Sequence, residues 1–204
     1  NGMSEAPARS VAGTDRATAR SARALALAGV AALTLSYTSV LYHVADVTRG
    51  AETMLAVLAG SLLLGILLGR YVGTTVAGGV ALCVAVTGFV GYVLSIPPDQ
   101  RALLFTTRVV TDTIELLTGL SVLRLTNAGV WALGVAPAPI IVSWYLAVRR
   151  RYVGSVVAGG TALSLLVLTG DAGPTTTLTG VIGGATAVGV GDVERAGGPT
   201  PQFD

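Results

Sequence analysis

The chain has 204 residues, of which 52% are hydrophobic and 12% charged, with a mean hydropathy of +0.72; a soluble domain needs more polar residues to cover its outside. A formal net charge of +2 spread along the chain gives no clustered basic face for a nucleic-acid partner. A single cysteine excludes an internal disulfide and a cysteine-ligated metal site within one chain.

Several apolar runs approach the ~20 residues that a helix needs to cross the bilayer core, so the fold class is all-α: a polytopic transmembrane helix bundle of about six spans. Residues 1–23 are polar, carry Arg9, Arg16, Arg20 and Arg23, and are expected to form a cytoplasmic tail. A cleaved signal peptide is not expected, because the apolar run that follows is longer than a signal core and leads into another span. The first three spans are expected at 24–45, 52–69 and 72–96, within a unit covering 24–96. His43, beside Tyr42 and Asp46, reads as a polar residue at the outer end of span one. Cys83 falls near the middle of span three and reads as a small core residue, too deep to pair with His43 as nucleophile and base.

Residues 97–129 form the difficult stretch. Between 99 and 127, Arg101, Arg108, Asp112, Glu115 and Gly119 fall on one helical stripe, with Phe105, Val109, Val110, Ile114 and Leu117 over much of the rest. This pattern predicts an amphipathic helix that lies in the extracytoplasmic interface or packs its charged stripe inside the bundle, where Arg108 and Asp112 at i,i+4 can pair; the interface is the expectation, since a full crossing would invert the arginine pattern at Arg149 to Arg151. Asp112 and Glu115 also form a carboxylate pair of the sort used in cation or proton handling, against which stands a solvated or arginine-paired face.

Three further spans are expected at 130–148, 152–170 and 174–191, within 130–191, and a cytoplasmic tail at 192–204. Pro137 and Pro139 must kink or break span four, since each removes a backbone donor, and a neighbouring helix should cover the gap. Trp131, Trp144, Tyr145, Tyr71 and Tyr152 lie near span ends and read as interfacial anchors. Gly65, Gly69 and Gly73, like Gly180 and Gly184, recur every four residues and read as helix-packing positions. Asp171 ends span five and is placed to cap span six.

Arginine placement sets the orientation. Arg9 to Arg23, Arg70 and the run Arg149 to Arg151 all fall on one side if the spans are counted this way, which makes that side, and both termini, cytoplasmic in a multi-pass protein of the cell membrane. An internal repeat supports the count: Arg70-Tyr-Val-Gly-Thr-Thr-Val-Ala-Gly-Gly-Val-Ala-Leu recurs as Arg151-Tyr-Val-Gly-Ser-Val-Val-Ala-Gly-Gly-Thr-Ala-Leu. Copies that enter the membrane from the same side require an even number of crossings between them, and two are assigned. A duplicated helical hairpin is related to the parallel repeats of some transporters.

Several stretches resemble the N-terminal membrane region of haloarchaeal transglutaminase-like membrane proteins. They are Ser36-Tyr-Thr-Ser-Val-Leu-Tyr-His-Val-Ala-Asp46, Leu117-Thr-Gly-Leu-Ser-Val-Leu123, and above all Trp131-Ala-Leu-Gly-Val-Ala-Pro-Ala-Pro139 through Ser143-Trp-Tyr-Leu-Ala-Val-Arg-Arg-Arg-Tyr152 to Leu168-Thr-Gly-Asp-Ala-Gly173. The likeness runs over roughly 25–195. It implies a further span and an extracytoplasmic domain with a Cys-His-Asp triad, none of whose positions is present here, so no catalytic residue is carried over.

The expectation is therefore a non-catalytic domain that anchors or assembles such an activity. The alternatives are a small transporter or channel component, or a structural subunit of a larger membrane complex. The candidate functional polar residues are Arg108, Asp112, Glu115, Asp171 and His43; no metal, cofactor or catalytic residue is assigned, and without a lysine no retinal Schiff base can form. The expected partners are the lipid bilayer and either other membrane proteins or further copies of the chain.

Overall fold

A computed structural model describes residues 6–47, 51–95 and 128–196. Among these residues every regular element is an α-helix: α1 Ala6–Val47, α2 Ala51–Tyr71, α3 Thr74–Ser95, α4 Ala128–Val135, α5 Pro137–Val148, α6 Tyr152–Leu168 and α7 Pro174–Ala196. Helices α4 and α5 together make the expected fourth span, so the seven helices form six rods. The turns fall where sequence chemistry puts them, at Val72-Gly73, at the arginine run and at Thr169 to Gly173. The last of these is a Schellman turn: Gly170 at φ +75° lets the amides of Gly170 and Asp171 reach the carbonyls of Val167 and Leu166, closing the C-terminus of α6. Pro174 then opens α7 at the position where a missing amide costs nothing.

Among the described residues four stretches are long and apolar enough to cross a membrane: Thr18–Asp46, Glu52–Tyr71, Thr74–Ser95 and Val130–Val148. Helix α6 is apolar but has 17 residues, about 26 Å of rise and the short limit for a span. Helix α7, rich in Thr and Gly, begins where expected and continues to Ala196, into the region expected to be a tail. Helix α1 likewise extends back to Ala6 through most of the expected N-terminal tail. Its 42 residues rise about 63 Å, twice the thickness of the hydrocarbon core.

Burial shows which rods are central. Helix α1 packs along α7 and also touches α2, α4, α5 and α6, while α2 and α3 pack on α5 and α4. The main core joins Leu33, Tyr37, Leu41 and Val44 of α1 to Met54, Ala132, Ala136, Ile140, Leu163 and Leu166. Helix α3 is the most peripheral, leaving Leu82, Val86, Phe89, Val90 and Leu94 exposed, and similar residues stand outward on α2, α6 and α7. A continuous apolar exterior of this kind is an aggregation hazard in water and the normal surface of a bundle in lipid.

Without a hydrophobic drive between helices in lipid, close backbone contact must hold the rods together. At the α1–α7 crossing a Cβ on Gly29 would stand 2.5 Å from the Gly183 carbonyl oxygen, and one on Gly183 would stand 2.7 Å from that of Gly29. At the α3–α4 crossing Gly88 and Gly134 meet in the same reciprocal way. Gly65 and Gly69 pack on α5 as expected, and Gly180 and Gly184 on Leu163 and Val156, but Gly73 has nothing within 4 Å and is not a packing position.

The break in the fourth span falls at Ala136, which is fully buried. Its amide still donates to Ala132 O at 2.9 Å, whereas Pro137 and Pro139 have no amide to offer. Helix α3 covers the break through Ala85, Gly88, Phe89 and Tyr92, which enclose an apolar cavity of ≈ 190 Å³ against Trp131, Gly134 and Pro139.

The bundle has two distinct ends. The Tyr152 side chain packs with Ala26, Val30 and Ala187 and reaches Glu194, and Arg149 reaches the last carbonyls of α2. The N-terminal part of the first span, both repeat starts and the end of α7 therefore share one end, as the arginine pattern requires. At the other end lie the C-terminus of α1, the α6–α7 turn and the facing ends of α3 and α4, where Tyr92 packs with Val130 and Trp131. The expected interfacial helix at 99–127, with Arg108, Asp112 and Glu115, lies outside the described residues; the helices that flank it, α3 and α4, meet at this same end.

Candidate functional site

The arginine end is organised by one tripeptide of α5. Ser143, Trp144 and Tyr145 fan out to three neighbours, because consecutive residues on a helix point about 100° apart. Ser143 Oγ lies 3.0 Å from Ser155 Oγ and donates to its carbonyl at 2.9 Å. Trp144 Nε1 donates to Thr34 Oγ1 on α1 at 3.1 Å, and Tyr145 OH to Thr74 Oγ1 on α3 at 3.1 Å. Thr74 and Ser155 are the same position in the two copies of the repeat, so both copies dock on α5 through an equivalent hydroxyl. Trp144, Tyr145 and Tyr152 are thereby turned inward; Tyr145 is 5% and Tyr152 1% exposed, and the interfacial-anchor reading is corrected for them. Tyr71, 78% exposed, fits it. An aromatic near a span end marks depth in the membrane, but its direction depends on which neighbour offers a hydrogen-bond partner.

The three consecutive arginines have three different surroundings. Arg149 donates from Nε to Gly69 O at 2.9 Å and from Nη2 to Val72 O at 2.6 Å, capping the C-terminus of α2, and its guanidinium lies 5.5 Å from the Tyr145 ring centroid. Arg150 takes a left-handed backbone at φ +59° and sets Nε 3.3 Å from Oε1 of Glu194, an ion pair without hydrogen-bond alignment. Arg151 occupies the cap position of α6 and is exposed.

Glu194, whose side chain is 3% exposed, is the residue that sequence reasoning missed. Its Oε2 accepts from Tyr152 OH at 2.6 Å, while the Tyr152 ring lies on Gly191, where a Cβ would collide with it. The end of α7 is thus clamped to the α5–α6 turn by a charge-assisted hydrogen bond, an ion pair and a ring-on-glycine contact. The available signal was an acid spaced from Gly191 by about one helical turn, past the end of the apolar run.

At the opposite end His43 and Asp171 line one cleft of ≈ 440 Å³ with Ser39, Val40, Val44, Gly170 and Thr176. Ser39, Val40, His43 and Val44 share one face of α1; Gly170 and Asp171 belong to the Schellman turn, and Thr176 to the first turn of α7. Ser36 Oγ donates to Thr176 O and so ties α7 to α1 just beneath the cleft. Sequence reasoning named His43 and Asp171 separately; the fold brings them together. The residue immediately before α7 is Gly173, whose carbonyl accepts from both the amide and the hydroxyl of Thr177, while the Asp171 amide closes α6. Cys83 is exposed on α3, which corrects its reading as a core residue: an apolar span gives no signal for the face it turns outward when its residues are apolar all round. Among the described residues no group of three or more His, Cys, Asp and Glu side chains is placed to hold a metal ion.

Comparisons with protein families, with curated proteins and with solved structures found no match for this chain.

Proposed function

We propose that the chain is a non-catalytic, multi-pass domain of the cell membrane that anchors or assembles an extracytoplasmic transglutaminase-like activity, held by a partner or by a region outside these 204 residues. The observation that carries this reading is the clamp on α7. A buried carboxylate held by Tyr152 and Arg150 fixes the position and direction of the last described helix, which an anchor needs and a freely hinged tail would lack. The hydroxyl contacts from α5 to three helices give the same rigidity to the rest of that end. The positive-inside rule makes the arginine end cytoplasmic, so the His43–Asp171 cleft faces out. The resemblance of Trp131 through Gly173 to the membrane region of transglutaminase-like proteins supplies the nature of the activity.

The test is purification of the affinity-tagged chain from its native membranes in mild detergent. A co-purifying transamidase or peptidase activity that iodoacetamide abolishes is expected. Recovery of the intact, helical chain with no thiol-dependent activity in any preparation would sink the reading.

A further inference from the structure

The two copies of the repeat begin with the same pair, Arg70-Tyr71 and Arg151-Tyr152, but only the second tyrosine is turned into the bundle. There its hydroxyl donates to an anion, the Glu194 carboxylate, and the neighbouring Arg150 sets a guanidinium nitrogen 3.3 Å from the same carboxylate. The first pair stands outward: Arg70 is exposed, Tyr71 is 78% exposed, and among the described residues neither makes a side-chain hydrogen bond or an ion pair. A second arginine is fixed beside it. Arg149 donates to Gly69 O and Val72 O, on either side of the pair, and is itself exposed. Next along the chain, a Cβ on Gly73 would meet nothing within 4 Å, so the turn is open on that side among the described residues.

Depth and charge name the partner that suits this pair. Arg70 and Tyr71 are the last two residues of α2, whose apolar stretch Glu52–Tyr71 has 20 residues and so rises about 30 Å, the thickness of the hydrocarbon core. The pair therefore stands at the level where lipid phosphates begin. Segments 1–23, 70–73, 149–151 and 192–204 form or adjoin this end of the bundle, and they hold nine of the thirteen arginines and five of the eleven acids. That excess of four positive charges holds whichever of these residues pair with one another, and it favours an anionic lipid over a zwitterionic one. We infer that the α2–α3 turn binds the phosphate of an anionic phospholipid, with Arg70 and Arg149 as counter-charges and the Tyr71 hydroxyl as donor, the part that Glu194 plays for Tyr152 in the second copy. Leu63 and Leu67, exposed at i,i+4 spacing with Tyr71, continue the same face of α2 toward the bilayer centre and receive the acyl chains. The inference requires that the bundle lie in a bilayer; it uses neither the anchoring role nor the identity of the leaflet.

The test is native mass spectrometry of the full chain in dodecylmaltoside micelles, with dioleoylphosphatidylglycerol titrated in competition with dioleoylphosphatidylcholine. Phosphatidylglycerol is expected to be retained in preference to phosphatidylcholine. Arg70→Gln is expected to weaken that retention about tenfold or more, as loss of a charge-assisted contact does, and Tyr71→Phe to weaken it severalfold. Arg20→Gln removes an equal charge from the same end at another exposed position and is expected to change retention by less than about twofold, since a separated surface charge acts only through a screened field. Arg70 and Tyr71 are both exposed, so the variants are expected to keep the wild-type melting temperature in lipid-free detergent; Tyr71→Phe deletes one hydroxyl only and keeps the test decisive if Arg70→Gln does not fold. Equal retention of the two lipids, the result if a carboxylate of this chain or of a second copy sits on the pair, would overturn the inference. So would equal losses in Arg70→Gln and Arg20→Gln, which mark diffuse attraction, undiminished retention in a folded variant of the pair, or displacement of the lipid by inorganic phosphate, which marks a soluble anion as the ligand.

Discussion

Glu194 carries its charge in a side chain only 3% exposed, so the fold must supply donors for it. Tyr152 supplies the better one, at 2.6 Å, and hydrogen bonds to charged groups contribute about 1.5–3 kcal/mol. Tyr152→Phe, which keeps the ring on Gly191 and deletes the hydroxyl, is expected to destabilise the protein by that amount, read as a lower melting temperature in detergent. Arg150 behaves differently. Its side chain is 58% exposed, so its ion pair is screened and worth about 0.2–1 kcal/mol, while its left-handed backbone costs a non-glycine residue about 1–2 kcal/mol. Arg150→Gly relieves that backbone but removes the ion pair and Arg150's other interactions, and is expected to lower the melting temperature less than Tyr152→Phe does; a larger drop would show that Arg150, not the tyrosine, holds the clamp. Sequence made the arginine run conspicuous, whereas Glu194 was marked only by its spacing from Gly191, because partnership between residues on different helices leaves no local periodicity. His43 and Asp171 were each identifiable as polar residues at span ends; that they face one cleft depends on α7 lying along α1, which no single span encodes.

At the scale of the element, the helices themselves were the legible part. Apolar runs interrupted by arginine, proline and glycine placed α2, α3, α4, α6 and α7 within a few residues of their observed starts, since a helix in lipid must satisfy its own backbone and so runs to the end of its apolar stretch. Neighbours were less legible. Glycines spaced by four predicted packing at Gly65 and Gly69 but also at Gly73, which has nothing within 4 Å, and the closest backbone-to-backbone approaches use Gly29 with Gly183 and Gly88 with Gly134. A close crossing needs one small residue on each rod, not a ladder on one. These positions should separate cleanly in a mutational series. At Gly29 a Cβ would meet backbone atoms of Gly183 and Ala187 at 2.5 and 2.7 Å; backbone cannot swing aside, so Gly29→Ala is expected to cost about 1–3 kcal/mol through overpacking. Gly73→Ala meets nothing within 4 Å and has no left-handed φ to strain, so it should stabilise by about 0.4–1 kcal/mol through loss of unfolded-state freedom. Both are read by thermal unfolding in one detergent, and equal effects at the two sites would contradict the α1–α7 contact.

For the whole molecule, the question is how this bundle sits in a bilayer, and its single cysteine is a native probe of depth. Cys83 is exposed and lies on α3, the most peripheral span, among outward-facing Leu82 and Val86. A spin label attached there is expected to be relaxed strongly by oxygen, which concentrates in hydrocarbon, and weakly by a polar nickel chelate. A buried core position would be shielded from both, and a surface in water would favour the chelate. Sidedness then follows from two exposed positions at opposite ends, Tyr71 at the arginine end and Thr175 beside the cleft. Single cysteines there, in a Cys83→Ala background, are expected to react with a membrane-impermeant reagent from opposite faces of sealed vesicles. Because arginine in short loops is retained on the cytoplasmic side, Tyr71→Cys should label in inside-out vesicles and Thr175→Cys in right-side-out ones. Labelling of both from one face would break the two-ended bundle, since α3 and α7 start from opposite ends and an odd number of crossings must separate Tyr71 from Thr175. The reverse assignment would keep the bundle but turn the cleft to the cytoplasm.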